Sequence, residues 1–126
     1  MRILFIDDEA LVREHFAGLL GSAGYEIVVA LDGEEGIAAL ESEPFDLVIC
    51  DILMPKKEGM ETIFEIRKRK LARWVIAISG GGLAKNMKPL QLAKKAGADV
   101  ILAKPVGREA MLDAIRSLTS KSALVC

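Results

Sequence analysis

Five short apolar runs punctuate the chain: Ile3 to Ile6, Ile27 to Ala30, Leu47 to Cys50, Val75 to Ile78 and Val100 to Ala103. Most do not alternate apolar with polar residues. Continuous runs of this length mark strands covered on both faces. Segments of helical periodicity lie between them. In the first, Leu11, Val12, Phe16, Leu19 and Leu20 recur at helical spacing, with Gly21 and Gly24 as stop signals. The second opens near Asp32-Gly33, carries Ile37 and Leu40, and stops by Pro44. The third carries Met60, Ile63, Phe64 and Ile66. The fourth has Pro89 in its first turn, carries Leu90, Leu92 and Ala93, and closes at Gly97. The fifth carries Met111, Leu112, Ile115 and Leu118.

Strand followed by helix, five times over, predicts an α/β fold. The sheet is expected to be parallel and doubly wound, with right-handed crossovers and helices on both faces. Strand order 2-1-3-4-5, the flavodoxin-like arrangement, suits this count and places a switch point between strands 1 and 3. A chain of 126 residues fits one domain with one real core. Residues 1–120 are assigned to it and 121–126 to a frayed tail.

The polar residues that follow the strands fall into one place. Asp7-Asp8 follows the first run, Asp51 the third, Ser79 the fourth and Lys104 the fifth. Ligands bind outside the carboxyl edge of such sheets, at the switch point. Three carboxylates gathered there are costly unless a cation is held or a proton retained. With no His or Cys among them, they suit a hard cation such as Mg²⁺, with Mn²⁺ as the alternative. One carboxylate could then attack phosphorus, as aspartyl-phosphate formation requires. Lys104 suits the role of a compact positive charge on the transferring group, and Ser79 can donate a hydrogen bond to it.

These segments resemble the receiver domain of response regulators, the phosphoacceptor half of two-component signalling. The matching stretches are FIDDE, DLVICDILMP followed by Gly59, the strand-end AISG, and KP after the fifth strand. They cover nearly the whole chain in order and spacing, and their combination is specific. The resemblance implies roles. Asp51 is the residue phosphorylated. Asp7, Asp8, Asp51 and the backbone carbonyl of Leu53 hold Mg²⁺. Ser79 senses the phosphoryl group, Lys104 pairs with it, and Lys104-Pro105 is a cis peptide. The donor is a phosphohistidine on a sensor histidine kinase or a histidine phosphotransfer protein. Output passes to a downstream protein through the Ser79 loop and the face formed by helix 4, strand 5 and helix 5. The domain promotes only its own phosphorylation and dephosphorylation and is not otherwise an enzyme. The family's usual aromatic switch residue, three before the lysine, is Ile101 here. Leu53 and Gly81, which tune phosphoryl lifetime in the family, offer no group to position a water, which implies slow self-dephosphorylation.

Other readings have less support. An aspartyl-phosphate phosphatase-type enzyme needs a second acid and a substrate pocket. A flavodoxin-type nucleotide or flavin module needs a phosphate cradle where this chain is acidic. A receiver-like scaffold could work unphosphorylated. The formal net charge of -1 gives no nucleic-acid footprint. No apolar run approaches the about 20 residues that span a bilayer. Cys50 and Cys126 do not suggest a structural disulfide, and Met1-Arg2-Ile3 leads directly into a strand, so a cytoplasmic location is expected. His15 lies inside the first helix beside Phe16 and Val12 and reads as structural, and Cys50 is expected to face the core.

Overall fold

The computed structural model describes residues 1–52, 59–79 and 97–125. Strand β1 (Arg2–Ile6) is followed by α1 (Ala10–Ser22), β2 (Glu26–Ala30), α2 (Gly33–Ser42), β3 (Phe45–Asp51), α3 (Gly59–Lys68), β4 (Ala72–Ser79), β5 (Val100–Ala103) and α4 (Arg108–Val125). The strands form one parallel sheet in the order β2-β1-β3-β4-β5. The flavodoxin-like topology read from the alternation is therefore the observed one. The fourth helix expected around Leu90 to Ala93 lies outside the described residues, so α4 is the fifth helix of that reading.

The continuous apolar runs are explained by the two cores. Successive strand side chains point to opposite faces. Leu4, Ile6, Val48, Cys50, Val75 and Ala77 pack with Ile37, Leu40, Ile63 and Ile66 of α2 and α3. Ile3, Phe5, Leu47, Ile49, Ile76 and Ile78 pack with Phe16 and Leu20 of α1 and with Met111, Ile115 and Leu118 of α4. Phe5 and Phe16 stack at 5.1 Å between ring centroids.

Two residues counted on helical faces do not enter a core. Leu11 is 80% exposed and Phe64 58% exposed. Each neighbours a residue that does face inward, Val12 and Ile63 respectively. Consecutive helical positions diverge by about 100°, so only one of each pair can point at the sheet.

Local chemistry fixes where the helices begin and end. The Asp32 carboxylate caps α2 by accepting from Glu35 N–H at 2.8 Å, while Glu35 reaches back to Leu31 N–H at 3.1 Å. This is close to a capping box. Gly24, after α1, has φ +98°, a backbone region that glycine enters at little cost. At the far edge of the sheet Arg67 of α3 donates to the carbonyls of Gly97 (2.6 Å) and Arg73 (3.0 Å) and pairs with Asp99. Asp99 also accepts from Val75 N–H at 2.9 Å. These bonds tie α3 to the entries of β4 and β5.

The register decides the site. Ile6 pairs with Cys50, Asp51 with Ile78, and Ser79 with Ala103. The strand ends are level, so the residues at and just beyond them meet at one edge.

Candidate functional site

Strand β1 ends at Ile6, but the Asp7 N–H still joins the ladder through the Ala30 carbonyl at 3.1 Å. The chain then turns into α1. Asp7 Oδ1 accepts from Glu9 N–H at 2.9 Å, and Arg13 Nη1 donates to the Asp7 carbonyl at 2.8 Å. These contacts hold the turn that carries both acids. Asp51, the last residue of β3, lies level with Asp7 in the register.

Asp7 is fully buried, Asp51 is 4% exposed, and Asp8 is exposed. Carboxylate oxygens of all three lie within 4.8 Å of one another. Lys104, just past β5, places Nζ 3.0 Å from Asp51 Oδ2 and 3.5 Å from Asp7 Oδ2. The first is a good charge-assisted bond and the second is long. The Lys104-Pro105 peptide is cis.

The electrostatics follow from this crowding. Burial pushes the Asp7 carboxyl above its ordinary range. The Glu9 N–H and the Lys104 ammonium oppose the rise, and the Asp51 charge adds to it. Burial alone would lower the Lys104 pKa. The hydrogen bond to Asp51 and the charges of Asp51 and Asp7 outweigh it, so the ammonium is held above its usual value. Among the described residues, the Lys104 ammonium against the three carboxylates leaves the cluster negative. The donors are all carboxylate oxygens, two of them on buried residues, with no nitrogen or sulfur ligand in the set. That chemistry fits a hard divalent cation.

Other residues sort around this centre. Ser79 closes β4 opposite Ala103, which puts its backbone at the site's edge. Leu53 and the glycines at 80–82 lie outside the described residues. Ile101 pairs with Ala77 and is half-buried against the α2–α3 core. Cys50 is buried, and its Sγ lies 3.4 Å from the Asp51 carbonyl. Burial, with the nearby Asp51 and Asp7 charges, pushes its thiol far up, so it is not a thiolate nucleophile. His15 is exposed and meets Phe16 edge-on at 4.9 Å. It rims a cavity of about 480 Å³ shared by Glu9, Val12, Phe16, Lys104 and Pro105.

Two contributors escaped the sequence reading. Gly59 opens α3 so close to β3 that a Cβ there would lie 2.1 Å from the Asp51 carbonyl oxygen and 2.4 Å from Ile52 Cα. Gly59 follows the DLVICDILMP stretch in the sequence, but its close approach to β3 has no signal in one sequence. Arg13 reads as an ordinary solvent-facing helical arginine, and only its bond to Asp7 distinguishes it.

Comparison with known proteins agrees with this geometry. The family model for the response regulator receiver domain matches residues 3–116. The transcriptional regulatory protein PdtaR of Mycobacterium tuberculosis is 36% identical over 95% of this chain and 57% of its own length. The chain spans about half the length of the curated relatives it matches. Among solved structures, a CheY-like response regulator receiver domain protein from Methanospirillum hungatei superposes with TM-score 0.89 at 28% identity, covering 99% of this chain and 98% of that one. The response regulator TrrA of Thermotoga maritima, solved in complex with Mg(2+)-BeF, gives TM-score 0.80 at 35% identity, covering 93% of this chain and 97% of that one. With the parallel sheet, the acidic triad at its switch point and a family match over nearly its whole length, this chain belongs to the response regulator receiver domain family.

Proposed function

We infer that the chain is a phosphoacceptor in which Asp51 takes a phosphoryl group from a phosphohistidine in a Mg²⁺-dependent reaction. The observation that carries this is the gathering of the Asp51 carboxylate with those of Asp7 and Asp8 and with the Lys104 ammonium.

Asp7, Asp8 and Asp51 would hold the metal, together with the backbone carbonyl of Leu53. When bound, the metal neutralises charge on the phosphoryl oxygens and on the carboxylates beside them. An Asp51 oxygen attacks phosphorus, the phosphorus–nitrogen bond breaks, and its electron pair returns to the donor imidazole. Lys104, already within hydrogen-bond reach of Asp51 Oδ2, follows the charge onto the transferred group. Ser79, at the end of β4, supplies a hydroxyl to it. The phosphoryl group brings about -1.5 to -2 charge at neutral pH. That charge biases the Ser79 loop and the surface around β5, where Ile101 replaces the family's usual aromatic. The donor is a sensor histidine kinase or histidine phosphotransfer protein, and the output is contact with a downstream protein. No catalysis on other molecules is assigned; the domain promotes its own phosphorylation and slow dephosphorylation. No described helix is long and apolar enough to cross a membrane, and a cytoplasmic setting suits a phosphohistidine donor.

Transfer from a labelled phosphohistidine protein tests this. Label should pass to the parent chain and be released by hydroxylamine, as an acyl phosphate is. Label that resists hydroxylamine, or that reaches Asp51→Asn equally well, contradicts the assignment.

A further inference from the structure

We propose that Arg13 is a positioning residue whose bond to the Asp7 carbonyl aims Asp8 at the divalent cation. The proposal deepens the metal-site reading above and rests on it.

Asp7 is anchored at four points. Its N–H reaches Ala30 O, Oδ1 takes Glu9 N–H, Oδ2 faces Lys104, and its carbonyl oxygen accepts from Arg13 Nη1 at 2.8 Å. Asp8 differs. It is exposed, and among the described residues no protein group bonds its carboxylate. Its aim therefore depends on the backbone that carries it. The Asp7 carbonyl and the Asp8 N–H belong to one rigid peptide plane. Rotation of that plane swings the Asp8 Cα and moves its carboxylate relative to Asp7 and Asp51. Strand β1 has ended at Ile6, and the Arg13 guanidinium supplies the bond that holds this plane. Arg13 sits one turn inside α1 and is itself half-buried, so its fork is braced by the helix.

The charge on Arg13 makes the proposal testable by sign. A guanidinium near a cation site repels the cation. If Arg13 acted only through charge, neutralising it would tighten metal binding. If it positions Asp8, neutralising it weakens binding. Groups that orient metal ligands typically contribute about 10–100-fold in affinity.

Mg²⁺ binding to the full chain is measured by calorimetry, with Mn²⁺ binding by electron paramagnetic resonance as a second readout. Arg13→Met should weaken binding about tenfold. Arg13→Leu should act in the same direction and serves if the Met variant does not fold. Arg13→Lys, which retains a donor, should recover part of the loss. In an Asp8→Asn background the Arg13→Met effect should shrink towards nothing, because Asp8 is the group being aimed. Unchanged or tighter binding in both neutral variants overturns the proposal, as does an equal loss with and without Asp8. A parent that binds no Mg²⁺, or an Asp8→Asn variant that binds as the parent does, overturns the metal reading beneath it instead.

Discussion

Asp7 is the residue on which burial and charge conflict most openly. Its folded pKa lies above the ordinary 3.8, chiefly because burial disfavours the charged form. Between those two pKa values the metal-free native state binds more protons than the unfolded chain. Stability therefore falls as pH rises through that window, and the full cost of the ionised, buried carboxylate is present above it. Asp7→Asn removes the cost. In chelator-treated protein, urea unfolding should show the variant gaining on the parent as pH rises above 3.8. At neutral pH the gain should be about 1 kcal/mol, the scale of one stabilising substitution. Saturating Mg²⁺ should reverse the order, because only the parent keeps the full ligand set. A variant less stable than the metal-free parent at every pH would contradict the burial account. Asp7, Asp51 and Lys104 were legible as strand-end residues because each follows one of the short apolar runs that alternate with helical segments. Arg13 was not, because an arginine on a helix carries no mark of the carbonyl it will meet.

At the scale of elements, the site depends on how closely α3 approaches the end of β3. Gly59 permits that approach, since any Cβ would meet backbone atoms of Asp51 and Ile52 that cannot rotate away. Gly59→Ala should destabilise the fold by about 1–3 kcal/mol, as overpacked sites do. It should also slow phosphorylation of Asp51 beyond what partial unfolding explains. Urea unfolding and labelling rate on the folded fraction check the two effects separately. Wild-type values for both would mean that α3 docks with room to spare. Helical periodicity showed where α1 and α3 lie, but not the width of their buried stripes. Leu11 and Phe64 join the apolar pattern because they are apolar and adjacent to true core positions, yet both face solvent. Which of two neighbouring apolar residues faces the sheet is settled by the roll of the helix, and that is set by partners distant in sequence. The Arg67 bonds to Gly97, Arg73 and Asp99 were hidden for the same reason.

For the whole molecule, topology does most of the chemical work. The order β2-β1-β3-β4-β5 puts β1 beside β3, and their level register brings two strand ends carrying acids together. Lys104 arrives from β5, two strands away from β3, and its long side chain closes the distance to Asp51 at 3.0 Å. The order was legible because five apolar runs alternating with helices leave few parallel arrangements. The central claim is that this convergence makes Asp51 a phosphoacceptor. Intact-mass analysis after incubation with a small acyl phosphate and Mg²⁺ tests it most directly. The account predicts one phosphoryl adduct on the parent, lost when Mg²⁺ is chelated beforehand and absent from Asp51→Asn. An adduct of the same yield on Asp51→Asn, or none on a folded parent that binds Mg²⁺, would contradict it.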